Sequence, residues 1–310
     1  MPLFWNNKLL ALKRETTYGT DSAPTGANAF VAQNVKLTPM KGEDVARGLE
    51  RAFLGADATL PAGLNAMIEF EVELAPSGTP GTAPSWGEAL RACAVAQVVS
   101  AGVSVTYNPI STNHEGATVH FYVDGTRYAL VGCRGTAKLR LTANGTPRIA
   151  FALTGLFVQP TTVANPAPTL EGWTVPQIVA SVNTPTVTFN AVPLIMRSFE
   201  FDFGNQVIFR SLVGSQSVLI PQRSEKIAMV VEAVPLATLN PYALAAQPTT
   251  AALSLVHGTG AGKITTISVP LALIQRPEGL NEQDGIVEWP LSFVPQPGAS
   301  GNDQWTIALT

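Results

Sequence analysis

The sequence predicts a mainly β protein made of two tandem domains, each a β-sandwich or half-barrel with one flanking helix and long loops. Short runs with a period of two recur along the chain, which is typical of half-buried strands. Gly and Pro fall mostly between these runs. One segment also occurs twice: 51–55 (RAFLG), followed by Leu-Pro, returns as 210–214 (RSLVG), followed by Leu-Ile-Pro. A repeat of this spacing has the size of a domain, so we expect one fold used twice.

The first half begins with a segment that has the character of an arm. Residues 1–30 are polar and turn-rich from Glu15 onward, so we expect them to follow a surface. A first strand is expected at 31–37. The stretch 39–63 holds the first copy of the repeat and has no clear period, which predicts a long functional loop.

The next strand, at 66–74, has the clearest pattern, because apolar residues alternate with glutamates. Ser85 with Glu88 three residues later matches a capping box, which predicts a helix from about Trp86 to Ala96. The rest of this half is one further strand and two hairpins with Asp-Gly and Asn-Gly turns. Those strands are expected at 103–107, 117–123, 127–133, 137–141 and 148–157.

The second half repeats this order after a stretch rich in Pro, Thr and Asn. Phe199, Phe201 and Phe203 alternate with polar residues in a strand at 195–203, and Asn240 followed by Pro241 predicts a second helix through Gln247. Its other strands are expected at 227–234, 251–257, 264–273, 285–294 and 305–309. The predicted division is an arm at 1–30, a first domain at 31–160, a linker at 161–185 and a second domain at 186–310.

The composition limits the kinds of partner. Charged residues make up only 13% of the chain and apolar residues 46%, which is expected when partner subunits cover much of the surface. A net charge of −3 argues against a surface that grips nucleic acid. Cys93 and Cys133 form no metal or disulfide motif and are expected to be buried thiols. No segment is long and apolar enough to predict a membrane span.

No motif in the sequence predicts catalysis, a cofactor or a metal. The loop 257–263 (HGTGAGK) resembles a phosphate-binding loop, but the first required glycine is missing and Ile264 stands where Ser or Thr is needed. The loop also joins two predicted strands, so a hairpin turn is favoured. The three histidines have no ligand spacing. We therefore expect no catalytic residue, no cofactor and no metal site.

A row of carboxylates is the one charged group with a defined geometry. Glu69, Glu71 and Glu73 share one face of the predicted strand at 66–74, with about 7 Å between one glutamate and the next. The row fits either the solvent face of a sheet or an acidic wall of a water-filled channel, to which Glu200 and Asp202 would add. Catalysis is less favoured, because paired glycosidase carboxylates face each other from different elements across a cleft.

The start of the chain resembles a known family. The segment 9–30 (LLALKRETTYGTDSAPTGANAF) and its continuation from 35–39 (VKLTP) to the glutamate-rich strand are similar to tail tube, or major tail, proteins of bacteriophages with long non-contractile tails. The order of the predicted strands extends the likeness over most of the chain.

The resemblance implies a tail-tube-type β-sandwich whose sheets join those of neighbouring subunits into a closed inner barrel. Since single-domain members form six-subunit rings, two domains per chain imply that three chains make one ring with pseudo-six-fold symmetry. Stacked rings would form a tube that conducts viral DNA without binding it specifically. The implied partners are further copies of this chain, the tape measure protein, the tail terminator and the distal tail protein. The implied location is the virion tail, assembled in the cytoplasm of the host.

Two groups of residues are candidates for these contacts. The candidates for lining the channel are Glu69, Glu71, Glu73, Glu200 and Asp202. The candidates for contacts between rings are Tyr18, Lys41, Arg47, Arg51, Arg210 and Arg223.

An alternative function is a glycan-binding β-sandwich module of a virion or cell surface. That hypothesis predicts exposed aromatic side chains on which a sugar could stack, and the candidates are Trp86, Trp173 and Trp305. Packing in the core or in an interface is the favoured interpretation of each tryptophan. A hydrolase that uses the glutamate row is a third hypothesis.

Overall fold

The structure, a computed structural model, describes residues 2–310 and is dominated by β-strands. Strands hold 51% of the residues and helices 5%, so the predicted mainly β fold is confirmed. The sheets of this part of the chain are open, and they form no closed barrel. One continuous cluster of buried apolar side chains runs through both halves.

The first half holds ten strands, a short 3-10 helix at Gly26–Asn28 and the helix α1 at Gly87–Arg91. Its strands are β1 Lys8–Arg14, β2 Ala29–Phe30, β3 Gln33–Ala46, β4 Thr59–Glu73, β5 Val95–Ser100, β6 Ser104–Pro109, β7 Ala117–Val123, β8 Thr126–Thr142, β9 Arg148–Phe157 and β10 Thr161–Thr162.

The second half holds eleven strands and the helix α2 at Pro241–Ala246. Its strands are β11 Thr186–Phe189, β12 Val192–Pro193, β13 Met196–Asp202, β14 Asn205–Leu212, β15 Ser215–Arg223, β16 Lys226–Glu232, β17 Thr250–His257, β18 Thr265–Ile274, β19 Asn281–Gln283, β20 Ile286–Pro295 and β21 Thr306–Leu309.

One antiparallel sheet, which we call the long sheet, runs through both halves in the order β3-β4-β9-β8-β13-β16-β20-β19. The halves meet where β8 pairs with β13, with Arg140 opposite Glu200 and Leu139 opposite Phe201. Within residues 2–310, β3 pairs only with β4 and β19 only with β20. The long sheet therefore ends in a free edge on each side.

A second layer packs on the apolar face of the long sheet. In the first half it has the order β2-β1-β7-β8, and in the second half β12-β11-β17-β18-β21. β8 belongs to both layers because it bends near Gly132, which has a φ of +60°, and shifts register between Val131 and Arg134. Such a bend lets one strand turn the corner of a sandwich.

The repeat seen in the sequence is also a structural repeat. Five strands of the first half have the same neighbours as their counterparts in the second half. The counterparts are β1 and β11, β2 and β12, β4 and β16, β7 and β17, and β9 and β20. Ile68 lies opposite Leu153, and Ile227 lies opposite Phe293 in the equivalent pair of strands. Ile68 and Ile227 are separated by the same number of residues as Arg51 and Arg210. The boundaries of the two domains and of the linker remain predictions.

The stretch 39–63 is not the long loop that its irregular pattern predicted. β3 and β4 extend through most of it as a hairpin whose connection is 47–58. Pro39, Gly42, Pro61 and Gly63 hid this hairpin, since they usually mark turns. The ladder accommodates them through register shifts on either side of Lys41.

The expected arm is partly a strand of its own chain. β1 pairs with β7 along its whole length, and Leu10 and Leu12 are buried in the core. The residues from Glu15 to Gly26 then follow the surface, with Glu15, Pro24 and Gly26 buried against it. Residues 2–30 thus pack largely on their own subunit in the single chain.

The two helices differ in how well the sequence located them. α1 ends at Arg91 instead of Ala96, because Ala94 takes a left-handed φ of +58° and β5 begins at Val95. The predicted capping box is wrong, since the Ser85 hydroxyl donates to the carbonyl of Gly172. α2 agrees with its prediction: the Asn240 side chain accepts a hydrogen bond from the N–H of Ala243 at 2.9 Å.

The core of the second half is built around an aromatic cluster. Phe201 is fully buried, and its ring lies 5.0 Å from that of Phe203 and 5.3 Å from that of Trp305. Phe201→Ala should lower the free energy of unfolding by about 3–5 kcal/mol, because it removes buried area and leaves a cavity. Urea unfolding followed by tryptophan fluorescence measures this loss.

Phe53→Ala is the matched control, since the Phe53 side chain is 70% exposed. The control should change the free energy by no more than about 0.5 kcal/mol. Equal losses in the two variants would contradict the assignment of Phe201 to the core.

Candidate functional site

The carboxylates singled out from the sequence lie on one face of the long sheet. Glu69, Glu71 and Glu73 on β4 alternate with buried residues and stand partly exposed on the opposite face. Glu200 and Asp202 on β13 lie on the same face, because β9 and β8 connect the two strands in direct register. We call this surface the charged face. The two halves therefore contribute carboxylates to a common surface.

Basic side chains lie between the two rows of carboxylates. Arg140 Nε lies 3.0 Å from Glu200 Oε2, Lys138 Nζ lies 2.7 Å from Asp202 Oδ2, and Arg148 Nη1 lies 3.4 Å from Glu71 Oε2. Lys36 and Lys226 occupy the same face on β3 and β16. The face is thus mixed in charge. The sequence reading missed these residues, although Lys138 and Arg140 alternate with apolar residues in a predicted strand.

Shallow grooves follow the charged face. One groove of about 660 Å³ is lined by Lys36, Glu69, Glu71 and Lys138, with Trp5 reaching it from the N-terminal segment. Smaller grooves of about 290 and 350 Å³ continue along the face toward β20. The glutamates of β4 stand side by side on one strand, so they do not form a facing pair across a cleft. Within residues 2–310, no group of three His, Cys, Asp or Glu residues could hold a metal ion.

The β3–β4 hairpin is a second candidate surface, and it projects from the sheet. Lys41 lies on β3, and Arg47 and Arg51 lie in the connection, all with exposed side chains. Arg51 pairs with Asp57 at 2.9 Å across this connection. Beside them the Leu54 side chain is fully exposed and the Phe53 side chain is mostly exposed. A protruding element with apolar residues at its tip is typical of a contact with a partner.

The β14–β15 hairpin holds the second copy of the repeated segment at an equivalent place. Arg210 is exposed on β14, and Leu212 and Val213 are exposed at the turn. The base of this hairpin is covered, since Val218 and Ile220 are buried where it contacts β8 and β9. Both copies of the repeat therefore lie at or near hairpin tips.

Tyr18 fastens the base of the β14–β15 hairpin to the first half. Its hydroxyl accepts a hydrogen bond from the N–H of Val218 at 2.6 Å. The guanidinium of Arg134 lies 4.4 Å above the Tyr18 ring and donates to the Val218 carbonyl at 2.9 Å. Burial raises the pKa of Tyr18, so the hydroxyl stays protonated. We call Tyr18, Arg134 and the Val218 backbone the hairpin clamp.

The buried carboxylate of Glu15 lies beside the hairpin clamp. Glu15 accepts hydrogen bonds from the Thr118 hydroxyl at 2.9 Å and from the N–H groups of Gly19 and Gly132 at 2.7 Å. A Cβ on Gly132 would lie 2.9 Å from the Tyr18 ring, and Gly132 has a positive φ. Only glycine fits this position without displacing Tyr18.

Arg223 is also engaged within its own chain. Its side chain is largely buried and donates to the carbonyl of Ile110. Burial lowers its pKa, although the group remains a cation at neutral pH. Of the candidate contacts between rings, Lys41, Arg47, Arg51 and Arg210 are exposed, whereas Tyr18 and Arg223 have partners inside the subunit.

The tryptophans proposed as glycan platforms are packing residues. Trp86 and Trp305 are almost completely buried. Trp173 is partly buried, lies 5.3 Å from the ring of Phe30, and donates to the carbonyl of Ala29 at 3.0 Å. The favoured interpretation of core packing is confirmed for Trp86 and Trp305.

The fold and these surfaces together define a class of β-sheet protein. Its two equivalent halves share one sheet with free edges, and exposed hairpins project from it. A family model described as phage tail tube protein matches residues 5–303. The chain therefore belongs to the phage tail tube protein family, and it is a structural protein of the virion tail. Tail tube proteins assemble into a tube and are not an enzyme family.

Two further findings add little to this assignment. A search of curated proteins found no match. Within residues 2–310, no helix is long and apolar enough to cross a membrane.

Removing the hydroxyl of the hairpin clamp should loosen the β14–β15 hairpin. Tyr18→Phe leaves the N–H of Val218 without its partner, which should cost about 1–3 kcal/mol. Hydrogen exchange at the Val218 amide should accelerate accordingly. Tyr242→Phe, on the exposed side of α2, is the matched control. Unchanged exchange at Val218 in Tyr18→Phe would contradict the clamp.

His120 should make the stability of the fold depend on pH. The ring is buried, with Nε2 lying 3.1 Å from the Asp21 carboxylate, and burial lowers its pKa below the usual value of 6.5. The unfolded chain therefore takes up this proton first as the pH falls. The neutral His120 ring therefore makes its full contribution to the free energy of unfolding above about pH 6.5. That contribution is lost as the pH falls below 6.5.

Urea unfolding of the wild type and of His120→Gln at pH 7.5 and pH 5.0 measures this contribution. The loss on acidification should be smaller in the variant. His114 and His257, whose pKa values are also lowered by burial, contribute equally to both proteins. An identical loss in both proteins would remove His120 from the pH dependence.

Proposed function

We propose that this chain is the major subunit of the tail tube of a phage with a long non-contractile tail. Three chains form a ring with pseudo-six-fold symmetry, and rings stack into a tube. The tube conducts viral DNA from the capsid into the host. The family supports the structural role, and the arrangement of the ring is our proposal.

The long sheet is the observation that carries this proposal. Its two halves are structurally equivalent and already joined edge to edge through β8 and β13. Free strand edges invite pairing with other chains, and closure into a ring removes them. Three chains that continue the same pairing would place six equivalent units around one axis.

The charged face is our candidate for the lining of the channel. It gathers Glu69, Glu71, Glu73, Glu200 and Asp202 on one side of the long sheet, as the lining requires. Carboxylates repel DNA phosphates, and Lys138, Arg140 and Arg148 among them are held in ion pairs. Such a surface would let DNA pass without firm attachment, although it is less acidic than the glutamate row alone suggested.

The hairpins are our candidates for contacts between rings. Lys41, Arg47 and Arg51 on the β3–β4 hairpin and Arg210 on the β14–β15 hairpin have exposed side chains, and Arg51 also pairs with Asp57. Phe53 and Leu54 supply apolar area at the same place. Tyr18 and Arg223 would act indirectly, by fixing the base of the β14–β15 hairpin. The segment 1–30 would contribute to these contacts through its exposed residues.

The family supports assembly with other tail components, and which components these are is our proposal. Other copies of this chain come first, and the tape measure protein, the tail terminator and the distal tail protein would meet the tube along its interior and at its ends. Assembly would take place in the cytoplasm of the host bacterium before the tail joins the virion.

Purified protein should assemble by itself at high concentration. Light scattering should show a species of three chains, and negative-stain electron microscopy should show rings with a central hole and tubes of stacked rings. The fraction in rings should rise with protein concentration, as mass action requires. A protein that stays monomeric at every concentration, with no rings or tubes, would contradict the proposal.

A further inference from the structure

We propose that residues 2–7 of one copy pack on the turn at Asp284 and Gly285 of the neighbouring copy in the ring. The N–H of Asp284 would donate to the carbonyl of Leu3, and the N–H of Leu3 would donate to the carbonyl of Gly285. This inference rests on the proposed ring and assigns a partner to an apolar surface of the second half. The partner is a second copy of the same chain.

The template is a contact inside the chain, between the segment that leads into β11 and the turn between β8 and β9. The carbonyl of Val179 accepts a hydrogen bond from the N–H of Asn144 at 2.8 Å, and its N–H donates to the carbonyl of Gly145 at 3.0 Å. The Val179 side chain is buried in the core. The contact is continuous with the junction of the halves, since the N–H of Ala143 donates to the carbonyl of Arg197 at 2.8 Å.

The segment before β1 has the same local structure as the segment before β11. In the first, the N–H of Asn7 donates to the carbonyl of Phe4 at 3.2 Å. In the second, the N–H of Asn183 donates to the carbonyl of Ala180 at 2.9 Å. Each asparagine carbonyl also accepts a hydrogen bond from the first residue after the neighbouring strand, β7 or β17, at 2.8 Å and 2.6 Å. Asn7 therefore corresponds to Asn183.

The structural repeat then identifies the two surfaces that meet. Leu3 and Val179 each stand four residues before the asparagine of their segment, so they correspond. Asn144 and Asp284 each precede a glycine in the turn before the counterparts β9 and β20, with a left-handed φ of +62° and +55°. In the template, the segment that leads into one half lies on a turn of the half before it. For Leu3, the half before it in the ring belongs to another copy.

Both surfaces are apolar and exposed in the single chain. The Leu3 side chain is 59% exposed, whereas its counterpart in the template is buried. Beside the receiving turn, Ile286 and Val287 are 49% and 46% exposed. Within residues 2–310, the N–H of Asp284 and the carbonyl of Gly285 take part in no backbone hydrogen bond. The contact would bury apolar area on both sides and satisfy these two backbone groups.

Residues 2–7 are already held in place on their own chain. The Asp124 carboxylate accepts hydrogen bonds from the N–H of Phe4 at 2.8 Å and from the Asn7 side chain at 2.7 Å. A segment fixed in this way loses little conformational freedom when it binds. The exposed residues among 8–30 stay available for the proposed contacts between rings.

A hairpin tip from a copy in the next ring is the competing occupant of the receiving turn. The side chain of Leu54, at the tip of the β3–β4 hairpin, is also apolar and fully exposed. The template favours Leu3, because its counterpart Val179 makes the equivalent contact inside the chain.

Disulfide trapping tests the contact directly. Leu3→Cys/Asp284→Cys should give covalent dimers and trimers under mild oxidation, since residues joined by backbone hydrogen bonds lie close enough for a disulfide. Each copy supplies one cysteine of each kind, so linkage within a ring ends at three chains. Asn144→Cys/Val179→Cys, the equivalent pair inside one chain, is the matched control and should form an internal disulfide without linking chains.

Further cysteine variants separate the alternatives. Each single variant should link no chains, because Cys93 and Cys133 are buried. Leu54→Cys/Asp284→Cys tests the competing hairpin tip and should also give no linked chains. Links from this pair alone would overturn the inference. A ladder of more than three chains from Leu3→Cys/Asp284→Cys would also overturn it, since that result places the contact between rings.

A charged substitution tests the apolar part of the contact. Leu3→Asp should raise the protein concentration needed for half-assembly at least about tenfold, because it buries a carboxylate without a partner. Val103→Asp is the matched control, since Val103 is apolar and exposed in the connection between β5 and β6. It should assemble as the wild type does. Neither variant should change the urea midpoint of the monomer, because both side chains are exposed there.

Hydrogen exchange at the two turns gives a measurement that needs no variant. The amide of Asn144 should be protected in monomers and in rings, because Val179 accepts its hydrogen bond in both. The amide of Asp284 should become protected only in rings. Rings in which Asp284 exchanges as fast as in the monomer, with no cross-link at Leu3→Cys/Asp284→Cys, would overturn the inference and leave the proposed function standing. A wild type without rings would instead overturn the proposed function.

Discussion

The backbone ladder between β8 and β13 is the interaction on which the rest of the structure depends. It joins the two halves into one sheet and fixes their register, with Leu139 opposite Phe201 on the apolar side. Both of these side chains are fully buried, so the ladder is sealed from water on that side. The ion pairs on the other side are partly exposed and contribute less to stability, but they align the strands. Without this ladder the carboxylates of the two halves would not share a face.

Local sequence predicted most strands because their turns and periods were both clear. β7 and β9 begin and end where the sequence placed them, beside turns at Asp124-Gly125 and Asn144-Gly145 that require left-handed backbone. The β3–β4 hairpin was missed because its bulges interrupt the period of two. The single bent strand β8 was predicted as two strands, at 127–133 and 137–141, since Arg134, Gly135 and Thr136 interrupt its apolar pattern. Sequence periodicity does not show how a strand continues through a bend.

The candidate site was predicted in part, and the reason lies in the range of the interactions. The alternation of Glu69, Glu71 and Glu73 is local, so its exposed face could be read from one strand. The neighbours of that row come from β8 and β9, and only the fold reveals that Arg140 and Arg148 lie beside it. The contacts of Tyr18 with Val218 join residues far apart in the chain, and no local pattern predicts them. An exposed-looking tyrosine in a polar segment therefore proved to be a tie between the two halves.

The duplication of the fold has a consequence for the entropy of assembly. In a ring that continues the pairing of the long sheet, every second junction is covalently tethered within one chain. Each such junction forms during folding and costs no translational or rotational freedom when subunits associate. A ring of six equivalent units then needs only three associations between separate molecules, and its two halves stay at a high effective concentration. The same covalent link fixes the order of the units, so the two hairpins alternate around the ring without any sorting between different proteins.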